Sequence, residues 1–267
     1  MRNIRAVISD ADGTLIDTTY VIRHGQYEAA KQFLTDHGVQ QDEIPDYKTY
    51  EKALNQVVGR PVHETLESTM NMLYADKPHH LVGINYDDIV KILKPLQDDI
   101  ASESTVKIYA GFDNLMRYIS KIKVKFAIFT SGSPHHIVRN FGVALPVLNM
   151  RDLYKDGSMT DKEKVDIFIQ KFADEYNLPD FTVVTSVDTK KHKPDPESLQ
   201  LAMNRLNVTP DQCIVLGDHK VDIQAAANAG IENRVGITHG FDDKLTLVAS
   251  GATKIIDSLD ELPNFLS

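Results

Sequence analysis

One cysteine stands in the chain, Cys213, inside the apolar run CIVLG. No intramolecular disulfide can form, and the thiol reads as a small buried hydrophobe in a reducing compartment. Nowhere do about 18 apolar residues follow one another, the length a membrane-spanning helix needs. The opening MRNIRAVISD meets its first aspartate too soon for the apolar region of a signal peptide, so a cytoplasmic location is the expectation. Positive charge is also scarce: 29 Lys and Arg against 38 Asp and Glu leave a net charge of −9. Non-specific binding to nucleic acid or to an anionic membrane is therefore not expected, and an anionic substrate would need a local cationic pocket. There is no internal repeat and no low-complexity tract. With 267 residues, 42% hydrophobic and 25% charged, the chain can build a core of useful size in one large domain or two ordinary ones.

What is present falls into two textures. Residues 18 to about 104 show helical periodicity and almost no strand-like runs. Residues 105 to 267 alternate short apolar runs with amphipathic stretches. The strand candidates are 4–9, 124–130, 181–187, 213–217, 234–238 and 254–256, and the first four are nearly all apolar, as in a parallel sheet covered on both faces. Between them, helices are predicted at 112–122, 134–141, 161–176, 196–206, 220–229, 242–249 and 258–265. Ser133-Pro134 is a helix start, Thr160 with Glu163 is a capping box, and Gly230 is a helix stop. In the helical block, Pro95 should kink or end its helix. The expected fold class is a doubly wound, mostly parallel, Rossmann-like α/β core over 1–16 and 105–267 with an inserted all-helical cap domain at 17–104. Inserted after the first strand, the cap would lie over the strand carboxyl ends, where ligands bind in such sheets, and act as a lid.

In this topology the residues after each strand converge. They are Asp10, Asp12, Gly13 and Thr14; then Thr130, Ser131 and Gly132; then the lysines of DTKKHKPDP, including Lys193; then Asp218 and Asp222 of GDHKVD. Two carboxylates ~4 Å apart repel by about 4 kcal/mol at an effective dielectric of ~20. A bound Mg2+, which takes carboxylate, phosphate and water oxygens, would offset that repulsion. Thr130, Ser131, Gly132 and the backbone N–H groups of 131–133 suit phosphate oxygens, and Lys193 adds a point charge. Four carboxylates with a phosphate dianion carry about −6 against about +3 from Mg2+ and one lysine, so at least one carboxyl is expected to be protonated with substrate bound. The chemistry that follows is carboxylate attack on phosphorus, with a second carboxyl handling protons.

DADGTLID resembles the D-x-D-G-T-x-x-D signature of the haloacid dehalogenase superfamily of phosphohydrolases. FAIFTS, HKPDP and GDHKVD are similar to that family's second, lysine and acidic motifs, and they occur in the family's order. The resemblance covers the whole expected core. VVGRPVHETL (57–66) and GATKIIDSLDELP look like the substrate-facing loop and the C-terminus of the phosphoglycolate-phosphatase-like branch. It implies Asp10 as the nucleophile that forms an aspartyl-phosphate. Asp12 is then the acid/base, its backbone carbonyl also meeting Mg2+. Thr130 and Lys193 hold the phosphoryl oxygens, Asp218 ligates Mg2+, and Asp222 supports the metal or its waters. An acidic residue at Asp12 separates phosphatases and phosphomutases from the superfamily's dehalogenases. The implied partner is a small phosphorylated metabolite, phosphoglycolate-like or a sugar phosphate. A β-phosphoglucomutase-like mutase is the rival, weakened because Ile22 sits where that branch places its cap histidine. A non-catalytic member that only binds phosphorylated ligands is the other.

Several residues carry plainer readings. Asp17 reads as a structural hinge residue, and Lys190 and Lys191 as a solvated loop. Arg60 either contacts substrate or caps a loop. The histidines show no metal-ligand spacing, and the pairs 79–80 and 135–136 read as surface residues. Ala11 is smaller than the residue many relatives carry, and the long 143–180 connection is expected to add a helix at 161–176.

Overall fold

The computed structural model describes residues 4–57, 62–178 and 180–266. Arg60, the candidate specificity residue, lies outside the described residues.

The strands β1 (Ala6–Ser9), β4 (Lys125–Phe129), β5 (Phe181–Val184), β6 (Cys213–Gly217), β7 (Asn233–Ile237) and β8 (Lys254–Ile256) form one parallel sheet in the order β5-β4-β1-β6-β7-β8. β1 is central: Ala6 is in register with Lys125 on one side and with Cys213 on the other. The chain builds outward from β1 through β4 to β5, then returns to place β6 on the opposite side. The order therefore reverses at β1, which is where an open α/β sheet opens a crevice beyond its carboxyl ends.

Both sheet faces are covered, which is why β1 reads as an unbroken apolar run. Successive side chains alternate between faces. Ala6 and Ile8 pack with Ala127, Phe129 and Val215 against Leu199, Ala202 and Leu206 of α8 (Glu197–Leu206) and Ala225 and Ala226 of α9 (Lys220–Asn228). Phe126 instead stacks on Phe172 and Phe181. Phe172 also meets Phe112 of α5 (Phe112–Ile122) and Phe141 of α6 (Pro134–Ala144), all within α5, α6 and α7 (Asp161–Tyr176) and their strands. Each buried phenylalanine contributes about 1.5–3 kcal/mol of transfer free energy. The helix in the 143–180 connection is thus one wall of the core. Its start is the expected capping box: Thr160 N–H donates to Glu163 Oε2 at 2.7 Å and Glu163 N–H to Thr160 Oγ1 at 3.3 Å.

The chain divides into two compact units, one made of residues up to Thr18 and from Val106 onward, the other of Thr19–Thr105. Within the first unit a short antiparallel ribbon joins β2 (Ile16–Asp17) to β3 (Lys107–Ile108), with Asp17 opposite Lys107. The second unit is helical: α1 (Thr19–Asp36), α2 (Tyr47–Leu54), α3 (Val62–Leu73) and α4 (Tyr86–Ile100), with Ala29, Phe33, Leu66, Ile89 and Leu93 as its core. The fold is therefore the Rossmann-like α/β class with an all-helical insertion.

Of the two outcomes expected at Pro95, a kink or an end, α4 does not end there. Pro95 and Lys91, whose carbonyl loses its helical donor, are both exposed, so water can satisfy the orphan group. The C-terminal stretch predicted as a helix at 258–265 is a 3-10 helix, Leu259–Phe265. Its buried leucines, Leu259 and Leu262, are three apart, the spacing that a 3-10 helix aligns. Among the described residues no helix is long and apolar enough to cross a membrane.

Candidate active site

Asp10 follows β1 directly, and its N–H donates to the Leu216 carbonyl at 2.9 Å, so the end of β1 is tied to the end of β6. Asp218 follows β6, Thr130 follows β4, and the segment after β5 brings in Lys193. These strand ends meet at the reversal in strand order. Asp10, Asp218, Asp222 and Lys193 are all buried.

Lys193 is the hub. Its ammonium donates to Asp10 Oδ1 at 2.5 Å, Asp222 Oδ1 at 2.8 Å and the Phe129 carbonyl at 3.1 Å, and it lies 3.7 Å from the Phe129 ring centroid. Burial pulls the Lys193 pKa down, but the two carboxylates outweigh it and hold the amine protonated. Lys190 and Lys191 are exposed, as expected, and their backbone N–H groups bond the Glu197 carboxylate.

Asp218 is held at both oxygens, by the Thr14 hydroxyl on Oδ1 at 2.5 Å and the Phe241 N–H on Oδ2 at 2.8 Å. Two glycines make room for it. A Cβ on Gly13 (φ +87°) or on Gly240 would fall inside the Asp218 carboxylate. Asp222 sits at the third position of α9 and accepts the His219 N–H at 3.1 Å, so His219 caps that helix and Asp218 does not.

One oxygen from each of Asp10, Asp218 and Asp222 lies within 4.8 Å of the others. Burial first, and then the neighbouring carboxylates, push the Asp10 pKa well above the ordinary range despite Lys193. Burial and Asp222 push Asp218 up to about 7, against the hydrogen bonds from Thr14 and Phe241. A buried all-oxygen donor set with more negative charge than one ammonium can balance fits a hard divalent cation. Asp10, Asp218 and Asp222 would hold it.

Asp12 belongs to a different set of partners. Its Oδ1 accepts the Thr18 hydroxyl at 2.8 Å and the Asn140 amide at 3.1 Å, and His136 Nε2 stands 3.4 Å away in ion-pair range. Burial would raise its pKa, yet His136, Thr18 and Arg139 bring it down to about 2. The carboxyls pushed toward protonation are thus Asp10 and Asp218, while Asp12 is held as the anion.

Thr130 Oγ1 accepts the Gly132 N–H at 2.9 Å. Ser131 and Gly132 occupy the same turn, and Ser133 caps α6 by accepting the His136 N–H at 3.3 Å.

A haloacid dehalogenase-like hydrolase family model matches residues 4–230. The chain belongs to the haloacid dehalogenase-like hydrolase family. It is 26% identical over 264 residues to a "Phosphorylated carbohydrates phosphatase" of Thermotoga maritima, covering 98% of both chains. It is 27% identical over 278 residues to a "Phosphoglycolate phosphatase" of Salmonella paratyphi A, covering 98% of this chain and 92% of that one. A crystal structure described as a predicted phosphoglycolate phosphatase from Haemophilus somnus shares the fold, with TM-score 0.69, 15% identity and full coverage of both chains. The enzyme class that this membership and these names support is a phosphoric monoester hydrolase.

The sequence did not reveal the α6 residues that surround Asp12 in this haloacid dehalogenase-like chain. His135 is buried and His136 nearly so, contrary to the surface reading. His136, Arg139 and Asn140 lie at i, i+3 and i+4 of α6, one helix face, directly after the Thr130 turn. That spacing puts the three on one face but does not mark the face as buried.

Proposed function

We propose that this protein is a Mg2+-dependent phosphatase of small phosphomonoesters that works through an aspartyl-phosphate on Asp10. The observation that carries this reading is the meeting of Asp10, Lys193, Asp218 and Asp222 in one buried cluster at the strand-order reversal. Asp10 attacks phosphorus, and the bond from phosphorus to the ester oxygen breaks. Asp12 hands a proton to the departing alkoxide and takes one from the water that then attacks the phosphoenzyme. A phosphate dianion close by raises the proton affinity of Asp12, which lets a carboxyl otherwise held anionic carry that proton. Thr130 Oγ, the N–H groups of Ser131 and Gly132, and Lys193 bind the phosphoryl oxygens. The Asp12 backbone carbonyl joins Asp10, Asp218 and Asp222 as a metal donor. Bound Mg2+ would supply charge neutralisation at the transferring phosphoryl group.

The names of the sequence relatives favour a phosphorylated carbohydrate or phosphoglycolate-like substrate. The helical unit, Thr19–Thr105, is then the cap domain that selects among such esters. A reducing, cytoplasmic compartment suits the single buried thiol of Cys213.

A panel of small phosphomonoesters tests this reading, scored as inorganic phosphate released with Mg2+ and after chelation. Release that needs Mg2+ is expected. In Asp12→Asn, a brief exposure to the best ester should leave one phosphoryl group on Asp10, read by peptide mass spectrometry. Release indifferent to chelation, phosphate moved between hydroxyls instead of released, or no hydrolysis of any ester would contradict it.

A further inference from the structure

Two hydrogen-bond donors and a histidine nitrogen in ion-pair range gather at one oxygen of Asp12. Thr18, Asn140 and His136 all address Oδ1, and no donor among the described residues reaches Oδ2. Two of the three come from α6, a helix the family-type motifs do not include. Ser133 and Pro134 fix where α6 begins, and His136, Arg139 and Asn140 then share a face by their spacing.

Arg139 sets how the other two present themselves. It is buried, with 1% of its surface exposed. Its Nε donates to Asn140 Oδ1 at 3.0 Å, which fixes the amide orientation and leaves Nδ2 to face Asp12. Its terminal nitrogen reaches His136 Nδ1 at 3.4 Å. With Nδ1 taken as the acceptor, the N–H of the imidazole is on Nε2, a buried atom with no hydrogen-bond partner that stands 3.4 Å from Asp12 Oδ1. His136 also abuts the phosphate turn: a Cβ on Gly132 would lie 3.4 Å from His136 Cδ2 and 3.2 Å from Thr130 Oγ1. The α6 face therefore ties the Asp12 carboxylate to the Thr130 turn.

We propose that His136 and Asn140 are positioning residues that anchor Asp12 by Oδ1, so that Oδ2 is the oxygen that exchanges the proton during turnover. The inference rests on the reading of Asp12 as the acid/base. A carboxylate free to rotate about its last bond would present either oxygen in varying directions, and a misplacement of about 1 Å can lower turnover ~100-fold.

A double-mutant cycle tests it, read as kcat and KM for inorganic phosphate release from one alkyl phosphate ester. Alone, His136→Ala and Asn140→Ala should each lower kcat by about 10-fold or more with KM changed less than about 2-fold. On an Asp12→Asn background, either should add less than about 2-fold, because the group it acts through is gone. His136→Gln, which keeps an N–H donor, should recover part of the loss. Should an alanine variant fail to fold by circular dichroism, the same cycle is read from His136→Gln and Asn140→Ser. If Asp12→Asn does not slow the enzyme, the acid/base reading itself fails. If Asp12→Asn slows it but the α6 variants leave kcat unchanged, or lower it equally on both backgrounds, the positioning role is overturned and the acid/base reading stands.

Discussion

Asp10→Asn should abolish phosphate release to at least a ~10³-fold deficit, about 4 kcal/mol of transition-state stabilisation, without loss of stability. The amide matches the carboxylate in shape but cannot attack phosphorus. Lys193 keeps its bonds to Asp222 and the Phe129 carbonyl, so no buried cation is stranded. Removing one member of a repelling cluster, in which burial and neighbouring carboxylates already push the Asp10 pKa up, should leave the metal-free protein as stable or more so. Steady-state phosphate release and urea unfolding, on the same preparation, check both halves. Retention of more than a tenth of the activity would remove Asp10 from the nucleophile's place.

Lys193→Met has the opposite profile and the second largest effect. It strips the ammonium from between two buried carboxylates and leaves the Phe129 carbonyl without that donor. Breaking a buried ion pair from one side destabilises by about 3–5 kcal/mol. The loss should be larger at pH 8 than at pH 5, because at low pH Asp10 can take up a proton and shed its charge. Adding Asp222→Asn should return part of the stability, a non-additivity expected only of groups in contact. Activity should fall with the single change and stay low in the double. Urea midpoints at the two pH values measure the first claim, and equal losses at both would contradict it.

The positions that the sequence made legible share one property: they sit where an apolar run stops. β1, β4 and β6 are buried on both faces, so their ends are sharp, and Asp10, Thr130 and Asp218 stand at those ends. The rule that ligands gather at strand carboxyl ends supplied their meeting place. The same rule brought in Lys193, and the family motif then set it apart from Lys190 and Lys191, its exposed neighbours in DTKKHKPDP. The α6 partners of Asp12 were hidden for another reason. A polar helix face turned inward has the same period as one turned to solvent, so His136, Arg139 and Asn140 carried no mark of burial. The protonation pattern was hidden too. Counting the carboxylates as one pool could not separate Asp12, held low by its own donors, from Asp10 and Asp218, pushed up by burial and each other. Pro95 left a kink or an end open, because whether a helix continues through proline depends on whether water reaches the orphaned carbonyl.

The most direct test is the thermal midpoint of the metal-free protein against pH, with and without Mg2+, in wild type and Asp218→Asn. With its folded pKa near 7 and an ordinary value of 3.8, Asp218 binds a proton more tightly folded than unfolded. Its contribution is fully present below pH 4 and is lost as pH rises toward 7, a fall of a few kcal/mol. Asp12, depressed to about 2, acts in the opposite sense but only below about pH 4, outside this window. Wild type should therefore lose stability from pH 4 to 8 and regain it at pH 8 on adding Mg2+. Asp218→Asn should start higher at pH 8, show a flatter profile and respond little to Mg2+. A wild-type midpoint that Mg2+ leaves unmoved at pH 8, or a Mg2+ response of equal size in Asp218→Asn, would contradict a cation held among Asp10, Asp218 and Asp222.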